Sequence, residues 1–272
     1  MKRAKVVLVS GASSGIGRAT AALLHAKGHI VYGTSRDPER HEAPWRMLRL
    51  DVTEGASCAA AVATVLAEQG RIDALVNNAG LVLAGAVEDT APDEARAVLE
   101  TNLFGALRLV QAALPAMRAE KRGVIVNVGS LAGRVGLPFQ GLYSASKYAL
   151  EGLSESLALE LRSFGIQVTL VAPGDTATSV VDNRRRVRAA DDPDSAYAGP
   201  FGRALATFEA EERAGAPADG VAGCIVAVVE GRATGPRYVV GPIAQRILVA
   251  ARAFIPMRLF QWGLARYYRL GA

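Results

Sequence analysis

Tyr143 and Lys147 are the two residues whose types and spacing point most directly to chemistry. They lie four positions apart in a helical pattern, so their side chains share one face and their polar ends can converge. A free tyrosine titrates near pH 10 and is a poor base at neutrality. An ammonium roughly 4 Å away, at an effective dielectric constant near 20, contributes about 4 kcal/mol before desolvation costs. Because that equals about three pKa units, the pair predicts a phenol that exchanges protons with a substrate oxygen near pH 7.

A turn rich in glycine is the second chemical feature, with Gly11, Gly15 and Gly17 between an apolar strand and a helix. A pyrophosphate can approach the backbone N–H groups of such a turn because no Cβ intervenes, and the helix dipole favours its negative charge. Glycine also serves ordinary tight turns, so the turn by itself is weak evidence. Its place after the first strand of a repeated βα pattern indicates a dinucleotide site.

The elements that position these residues follow from the apolar periodicity of the chain. Strands are predicted over residues 5–10, 29–35, 47–51, 74–77, 123–128, 167–172 and 236–240. Helices are predicted over residues 15–27, 56–68, 101–119, 143–163 and 217–230. Repeated βα order predicts an α/β fold, a Rossmann-type doubly wound parallel sheet with right-handed crossovers, in a single domain over residues 1–242.

Two segments depart from that order. Residues 175–216 are rich in Asp, Arg, Gly and Ala and lack a clean period, which predicts an irregular flap that contacts the substrate. Residues 243–272 extend past the last strand as a C-terminal helical tail. The tail is predicted to divide near Pro256, because proline removes a backbone donor and favours the start of a new helix.

The second piece of the tail has two distinct faces. An apolar stripe is formed by Met257, Phe260, Leu264 and Tyr267 or Tyr268. The other face gathers Arg258, Arg266 and Arg269, with Trp262 near them. A basic helix with aromatic residues can make peripheral contact with an anionic membrane. The sequence favours packing of the stripe on the protein's own flap or on a partner subunit, since surface helices commonly show such a pattern.

Several further motifs occur in register with the tyrosine and the glycine turn. They are Asn77-Asn78-Ala79-Gly80, Asn102, Ser130, the run Tyr143-Ser144-Ala145-Ser146-Lys147, and Pro173-Gly174. With the GxxxGxG spacing of Gly11 to Gly17, the chain resembles the short-chain dehydrogenase/reductase superfamily in its shorter, single-domain form. The resemblance covers roughly residues 5 to 240, and several motifs in order are far more specific than any one of them.

The resemblance implies a catalytic role for four residues: Asn102, Ser130, Tyr143 and Lys147. It implies that Ser130 hydrogen-bonds the substrate oxygen, that Lys147 also holds the nicotinamide ribose, and that Asn102 anchors a water that relays protons toward Lys147. A fixed hydroxyl donor favours an oxygen that gains charge as hydride arrives. Taken singly, these residues have ordinary alternatives, namely a cap for Ser130, a turn or helix position for Asn102 and a core edge for Tyr143.

The resemblance also implies a set of contacts to a nicotinamide cofactor. The expected residues are Gly11, Ser13, Ser14, Gly15, Ile16, Gly17, Arg36, Asp51, Val52, Asn78, Ala79, Gly80, Tyr143, Lys147, Pro173, Gly174, Thr176 and Thr178. Asp51 could equally form a strand-end turn. The family usually has a branched apolar residue where this chain has Thr176, and Asp175 brings a carboxylate toward the nicotinamide end.

The cofactor is predicted to be NADP(H). Thr34-Ser35-Arg36 ends the second strand where an NAD enzyme more often carries an acidic residue for the ribose hydroxyl. Arg36 can pair with a 2′-phosphate instead. Asp37 follows immediately and would serve NAD if the turn were shifted by one residue, so NAD stays an alternative.

Composition narrows the class of protein. The formal charge of +5 is scattered, and the run Arg184-Arg185-Arg186-Val187-Arg188 is interpreted as solvated surface, so we expect no nucleic-acid partner. Cys58, Cys224 and the three histidines match no disulfide framework and no metal site. The apolar run after Met1 is too short for a signal core and no membrane-spanning stretch follows, so a cytoplasmic location is expected.

The sequence therefore favours an oxidoreductase that acts on a small-molecule carbonyl or alcohol with lipophilic groups. Residues flanking the motifs could line an apolar pocket: Leu81, Val82, Leu83, Leu131, Val135, Leu137 and Phe139. The alternatives are a non-catalytic nucleotide-binding regulatory protein of the same fold, and an epimerase or dehydratase of the extended branch, which would need a larger C-terminal domain. A homo-dimer or homo-tetramer is expected, because the helices over 101–119 and 143–163 resemble the family's subunit interfaces.

Overall fold

The computed structural model describes residues 3–178 and 184–271, and its centre is a parallel sheet of seven strands. In chain order these strands are β1 Val6–Val9, β2 Ile30–Ser35, β3 Arg46–Arg49, β4 Ala74–Asn77, β6 Gly123–Val128, β7 Ile166–Pro173 and β11 Arg237–Val240. Their order across the sheet is β11-β7-β6-β4-β1-β2-β3, and every neighbouring pair is parallel. The predicted Rossmann-type doubly wound sheet in a single domain is confirmed.

Two short parallel pairs attach the flap to the body of the protein. β5 Leu83–Ala84 pairs with β9 Arg185–Arg186, and β8 Thr176–Ala177 pairs with β10 Ala216–Pro217. Because the second pair joins the two ends of the flap, its first and last residues are held next to each other beside the central sheet.

Helices cover both faces of the sheet. They are α1 Gly15–Ala26, α2 Gly55–Gln69, α3 Pro92–Leu99, α4 Gly105–Ala119, α5 Gly141–Glu160, α6 Ala198–Arg213, α7 Ala218–Val229, α8 Ile243–Ala251 and α9 Met257–Tyr267. One apolar cluster joins the sheet to α2, α4 and α5, and a second joins it to α1 and α7. This two-sided cover is what a parallel sheet requires, because neither of its faces can be left to water.

Strand β1 shows how the sequence produces this arrangement. Its four residues, Val6 to Val9, are all buried. Successive strand residues point to opposite faces, so Val6 and Leu8 join the first cluster and Val7 and Val9 the second. A continuous apolar run is therefore the correct pattern for a central strand of this fold.

The predicted strands and helices are present with shifts of a few residues at their ends, but three features differ from the predictions. Helix α3 was not predicted; it begins at Pro92, and the Glu94 carboxylate accepts a hydrogen bond from the Ala91 backbone N–H at 3.0 Å. The helix predicted from residue 101 is preceded by a π-helical turn over Glu100–Phe104. The flap holds a helix of 16 residues, α6, where no regular period was recognised.

The tail forms two helices on either side of Pro256, as predicted, and part of it packs on the flap. Phe260 and Tyr268 are buried, and the rings of Tyr268 and Phe208 of α6 lie 4.7 Å apart. This is the packing on the protein's own flap that the sequence favoured. Other tail residues, among them Phe254 and Trp262, are exposed, and contact with a membrane stays a prediction. Within the described part of the chain, no helix combines the length and the apolar character needed to cross a bilayer.

Candidate active site

The glycine turn is closed by a side chain from the end of the neighbouring strand β4. The Asn78 Nδ2 donates hydrogen bonds to the backbone carbonyls of Ser10 and Gly11, each at 3.0 Å. A Cβ at Gly17 would lie 2.2 Å from the Gly11 carbonyl oxygen and 2.4 Å from the Asn78 Nδ2, so no side chain fits there. Gly11 and Gly15 have φ of +66° and +53°, in the left-handed region that favours glycine. The turn therefore presents bare backbone at the start of α1.

A single cavity of about 1530 Å³ runs from this turn along the carboxyl ends of the strands. Most of the residues predicted for the site line it: Gly11, Ser13, Ser14, Gly15, Ile16, Arg36, Asp51, Val52, Asn78, Ala79, Gly80, Ser130, Tyr143, Lys147, Pro173, Gly174, Thr176 and Thr178. Gly17 and Asn102 do not line the cavity and lie behind its wall. The structure thus brings together residues that the chain spreads over more than 160 positions.

Tyr143 lies in the first turn of α5, with Ser130 beside it at the end of β6. Burial raises the pKa of Tyr143, a hydrogen bond with Ser130 lowers it, Glu212 raises it and Arg184 lowers it; the net direction is upward. This differs from the direction expected from the sequence. A phenol with a raised pKa keeps its proton at neutral pH, so it is suited to donate that proton.

Lys147 explains part of that difference. Its Nζ lies over the Tyr143 ring, 5.8 Å from the ring centroid, and donates a hydrogen bond to the Val128 carbonyl at 2.9 Å. The Lys147 charge is not among the groups that shift the pKa of Tyr143. Burial lowers the pKa of Lys147 to about 8. The ammonium is charged at neutral pH and becomes neutral in mildly alkaline solution.

Asn102 lies in the π-helical turn between α3 and α4, and it is buried. Its Oδ1 accepts from the Leu81 N–H at 2.7 Å, and its Nδ2 donates to the Leu81 carbonyl and the Ser146 Oγ, each at 2.9 Å. A Cβ at Gly80 would lie 3.4 Å from the Asn102 Oδ1 and 3.9 Å from the Lys147 Nζ, so Gly80 separates the two side chains. A π-turn at a functional position is a recurrent device for aiming one side chain inward.

Ser130 combines two roles that the sequence presented as alternatives. Its Oγ accepts a hydrogen bond from the Ala132 N–H at 3.1 Å and so caps a short 3₁₀ turn. The same hydroxyl interacts with Tyr143 and lines the cavity. The cap fixes the Ser130 oxygen in place at the cavity wall, beside the Tyr143 hydroxyl.

Arg36 and Asp37 both lie exposed at the end of the cavity near the glycine turn, where the Ala12 N–H donates to the Thr34 carbonyl. Asp51, at the same end, accepts hydrogen bonds from the Thr53 N–H at 2.9 Å and the Thr53 Oγ1 at 2.7 Å. Burial opposes its ionisation, but Thr53 and the charge of Arg36 lower the pKa of Asp51. Asp51 is therefore a turn former and a cavity residue at once.

Four charged residues at the other end of the cavity were not predicted as site residues: Asp175, Arg184, Glu211 and Glu212. Arg184 belongs to the basic run that was interpreted as solvated surface, and for this residue the interpretation is wrong. Its side chain is 2 % exposed and forms a salt bridge with Glu212. Of these four residues, only Asp175 was expected from the sequence to lie near the site, as a carboxylate brought toward the nicotinamide end.

The remaining wall of the cavity is apolar. Of the residues proposed from the sequence, those that line it are Leu81, Val82, Leu131, Val135 and Leu137. Leu83 and Phe139 lie in apolar clusters behind them. The flap and the tail contribute residues that were not foreseen: Phe208, Leu248, Val249, Ile255, Leu259, Phe260 and Leu264.

Comparison with known proteins agrees with this architecture. Residues 5–189 match the family model described as short chain dehydrogenase. The chain belongs to the short-chain dehydrogenase family. It is 41% identical over 266 residues to a 3-ketodihydrosphingosine reductase of Bacteroides thetaiotaomicron, and the match covers 98% of each chain. As a member of this family the protein is an oxidoreductase.

Two solved structures similar to this chain contain nicotinamide cofactors. A short-chain dehydrogenase/reductase of Burkholderia phymatum in complex with NAD has a TM-score of 0.80, 27% identity, and coverage of 92% of this chain and 93% of its own. ElxO with NADP bound has a TM-score of 0.71, 25% identity, and coverage of 88% and 96%. A nicotinamide cofactor is therefore supported for this chain. The bare glycine turn at the N-terminus of α1 fits a pyrophosphate, since Gly11 and Gly15 present backbone without a Cβ to the cavity.

Proposed function

We propose that this protein is an NADP(H)-dependent reductase that transfers hydride to the carbonyl carbon of a lipophilic ketone, with Tyr143 as the proton donor. The observation that carries the proposal is the convergence of Tyr143, Ser130 and Lys147 in the cavity that begins at the glycine turn and continues along an apolar wall. Proton donor, cofactor cradle and apolar substrate wall thus share one space.

Ser130 and Tyr143 would act on the carbonyl oxygen one after the other. When bound, the nicotinamide supplies a hydride to the carbonyl carbon, and negative charge then develops on the oxygen. The Ser130 hydroxyl donates a hydrogen bond to that oxygen, and a donor fixed in advance stabilises the charged transition state more than the neutral ketone. Tyr143 then transfers its phenolic proton to the oxygen, which completes the alcohol. Because the pKa of Tyr143 is raised, the phenol is protonated at neutral pH, which is the state that reduction requires.

Lys147 and Asn102 would support the proton donor from behind. Lys147 is fixed by the Val128 carbonyl and lies over the Tyr143 ring, where its ammonium can hold a ribose hydroxyl and so keep the cofactor beside the proton donor. Asn102 holds the backbone of Leu81 and the Ser146 hydroxyl, and Gly80 separates its amide from Lys147. Asn102 is thereby proposed as a positioning residue, and its part in a proton relay toward Lys147 stays a prediction.

The proposed substrate is a long-chain ketone. The apolar wall is built by the core, the flap and the tail, so it extends well past the size of a small carbonyl compound. The relative of Bacteroides thetaiotaomicron, which matches this chain over nearly its whole length, is named for 3-ketodihydrosphingosine. A non-catalytic binding protein would have no use for a half-buried tyrosine and serine that line such a pocket together.

Tyr143→Phe tests the catalytic assignment. Removing the proton donor should lower kcat for reduction of a long-chain ketone by about 10²- to 10⁴-fold. The dissociation constant of NADPH, measured by fluorescence titration, should change less than about two-fold because the glycine turn is untouched. Tyr148→Phe on the same helix, where the ring is partly exposed, serves as the matched control and should retain full activity. A Tyr143→Phe enzyme with most of its kcat would contradict the mechanism.

The pH dependence of reduction follows from the pKa values of Tyr143 and Lys147. Both groups are protonated at neutral pH, and Lys147 loses its charge as the pH rises through about 8. The reductive kcat/KM for a ketone without ionisable groups should be level near neutrality and fall above about pH 8. Oxidation of the matching alcohol, which needs the phenolate, should increase with pH. Assays of nicotinamide absorbance at 340 nm across this pH range measure both reactions. A rate of reduction that rises above pH 8 would refute the assignment.

NADPH should be preferred over NADH through Arg36. A charge-assisted pair with a 2′-phosphate contributes about 1.5–3 kcal/mol, so Arg36→Ala should lower kcat/KM for NADPH by about 10- to 100-fold and leave NADH nearly unchanged. Arg40→Ala, on the next exposed arginine, is the control. A preference for NADH that Asp37→Ala abolishes would instead assign the ribose to Asp37.

A homo-oligomer built on α4 and α5 is also proposed. Large apolar side chains are exposed on and beside these helices: Phe104, Tyr148, Leu159 and Phe164. Light scattering at micromolar concentration should give the mass of a dimer or tetramer, and Leu159→Glu should reduce it because a buried unpaired carboxylate is costly. Ile247→Glu in the tail is the control, and a monomeric unmodified protein would refute the proposal.

A further inference from the structure

The cavity has one polar wall, which we call the carboxylate wall, formed by Asp175, Arg184, Glu211 and Glu212. Arg184 forms a salt bridge with Glu212, and Asp175 accepts a hydrogen bond from the Gln245 side chain. These residues come from the start of the flap, its middle and helix α6, and α8 supplies Gln245. With all four wall residues ionised, three negative charges face one positive charge, so the wall carries a net charge of −2.

Glu211 is the member of the wall whose charge the protein does not balance. Its carboxylate accepts a hydrogen bond from the Tyr267 hydroxyl. Over residues 3–178 and 184–271 no lysine or arginine forms a salt bridge with it, and the charged neighbours that act on it are Asp175 and Glu212. Burial and these two carboxylates raise the pKa of Glu211 to about 7. A partly buried carboxylate among like charges is stabilised by a cation from outside the chain.

Arg184 provides an independent observation at the same wall. Its side chain is 98 % buried, as its 2 % exposure shows, and lines the cavity. Its Nε and Nη1 have no hydrogen-bond partner among the described residues. Buried guanidinium N–H groups are almost always paired, so these donors indicate an acceptor oxygen on a ligand. A cation for Glu211 and an oxygen for Arg184 are thus both expected in one cavity.

We propose that the carboxylate wall binds the polar head of the substrate, with Glu211 and Asp175 accepting hydrogen bonds from an ammonium group and Arg184 donating to a hydroxyl oxygen. This inference rests on the proposed reductase function and names its substrate class, a long-chain ketone with an amino group and a hydroxyl group near the carbonyl. The wall is close to the proton donor, since Glu212 and Arg184 both act on the pKa of Tyr143. The apolar wall then receives the alkyl chain.

The location of the charges also excludes a simpler substrate. A plain fatty ketone would leave the Glu211 carboxylate without a cation and the Arg184 donors without an acceptor in a cavity that the ligand has dehydrated. A carboxylic acid would face the net negative charge of the wall. A ketone that carries both an amino and a hydroxyl group meets both requirements, because its ammonium supplies the balancing charge and three donors, and its hydroxyl oxygen supplies an acceptor for Arg184.

The test compares three ketones with the same twelve-carbon chain: one with both the amino and hydroxyl groups, one without the amino group and one without the hydroxyl group. Unmodified protein should reduce the ketone without the amino group with a kcat/KM at least about 10-fold lower than the complete ketone, and removal of the hydroxyl group should have a smaller effect in the same direction. Glu211→Gln should reduce the preference for the amino ketone by about 10-fold, mainly through KM. Glu209→Gln, on the same helix but paired with Arg213, should keep the full preference.

Each outcome bears on one proposal. Reduction of all three ketones with equal kcat/KM by the unmodified protein overturns the carboxylate wall as an ammonium site and leaves the reductase function standing. Reduction of none of them contradicts the reductase function itself. If Glu211→Gln has a lower melting temperature than the unmodified protein, Asp175→Asn gives the same comparison, because an asparagine still accepts the hydrogen bond from Gln245. A preference that survives in both variants would also overturn the inference.

Discussion

The contact between the Asn78 side chain and the backbone of Ser10 and Gly11 is the constraint on which the rest of the site depends. It ties the turn after β1 to the end of β4, the neighbouring strand in the sheet. Gly17 must then pass so close to the Gly11 carbonyl that no side chain is tolerated. Helix α1 begins at a fixed point as a result, with its N–H groups facing the cavity. The other residues that line the cavity lie along the carboxyl ends of the strands, starting from this turn.

A second set of buried polar side chains joins two central strands of the sheet to helix α5. The Asn77 Nδ2 donates to the Asn127 Oδ1 at 2.9 Å, and the Asn127 Nδ2 donates to the Ser154 Oγ at 2.8 Å. These residues are buried and belong to β4, β6 and α5. Buried amides are costly unless they are paired, so the network fixes the register of α5 against the sheet. Tyr143 and Lys147 are carried on that helix, and their distance from Ser130 follows from its register.

The flap and the tail form the substrate end of the cavity, outside the central sheet. Gln245 of α8 donates to the Asp175 carboxylate and accepts from the Asp175 N–H at 3.0 Å, which joins the tail to the start of the flap. The Tyr267 hydroxyl of α9 donates a hydrogen bond to the Glu211 carboxylate of α6, which joins the tail to the flap a second time. Charged groups at the substrate end are therefore positioned by contacts between segments that lie outside the sheet. The sheet places the reacting groups, whereas the flap and the tail decide which molecule can reach them.

The sequence by itself determined the fold, the glycine turn and the residues that converge on the cavity, because each of these depends on local periodicity or on motifs whose spacing is short. Helix α6 was missed since its residues belong to a segment with weak amphipathic order, and α3 was hidden by the loop-like run before Pro92. Only the tertiary structure decided that the pKa of Tyr143 is raised and not lowered. The shift depends on burial and on the charges of Glu212 and Arg184, which belong to distant parts of the chain. It also decided that Arg184 is buried and Arg188 exposed, although both belong to one basic run. The sequence shows which residues are charged, but packing determines which partners each charge has and how far it is exposed to water.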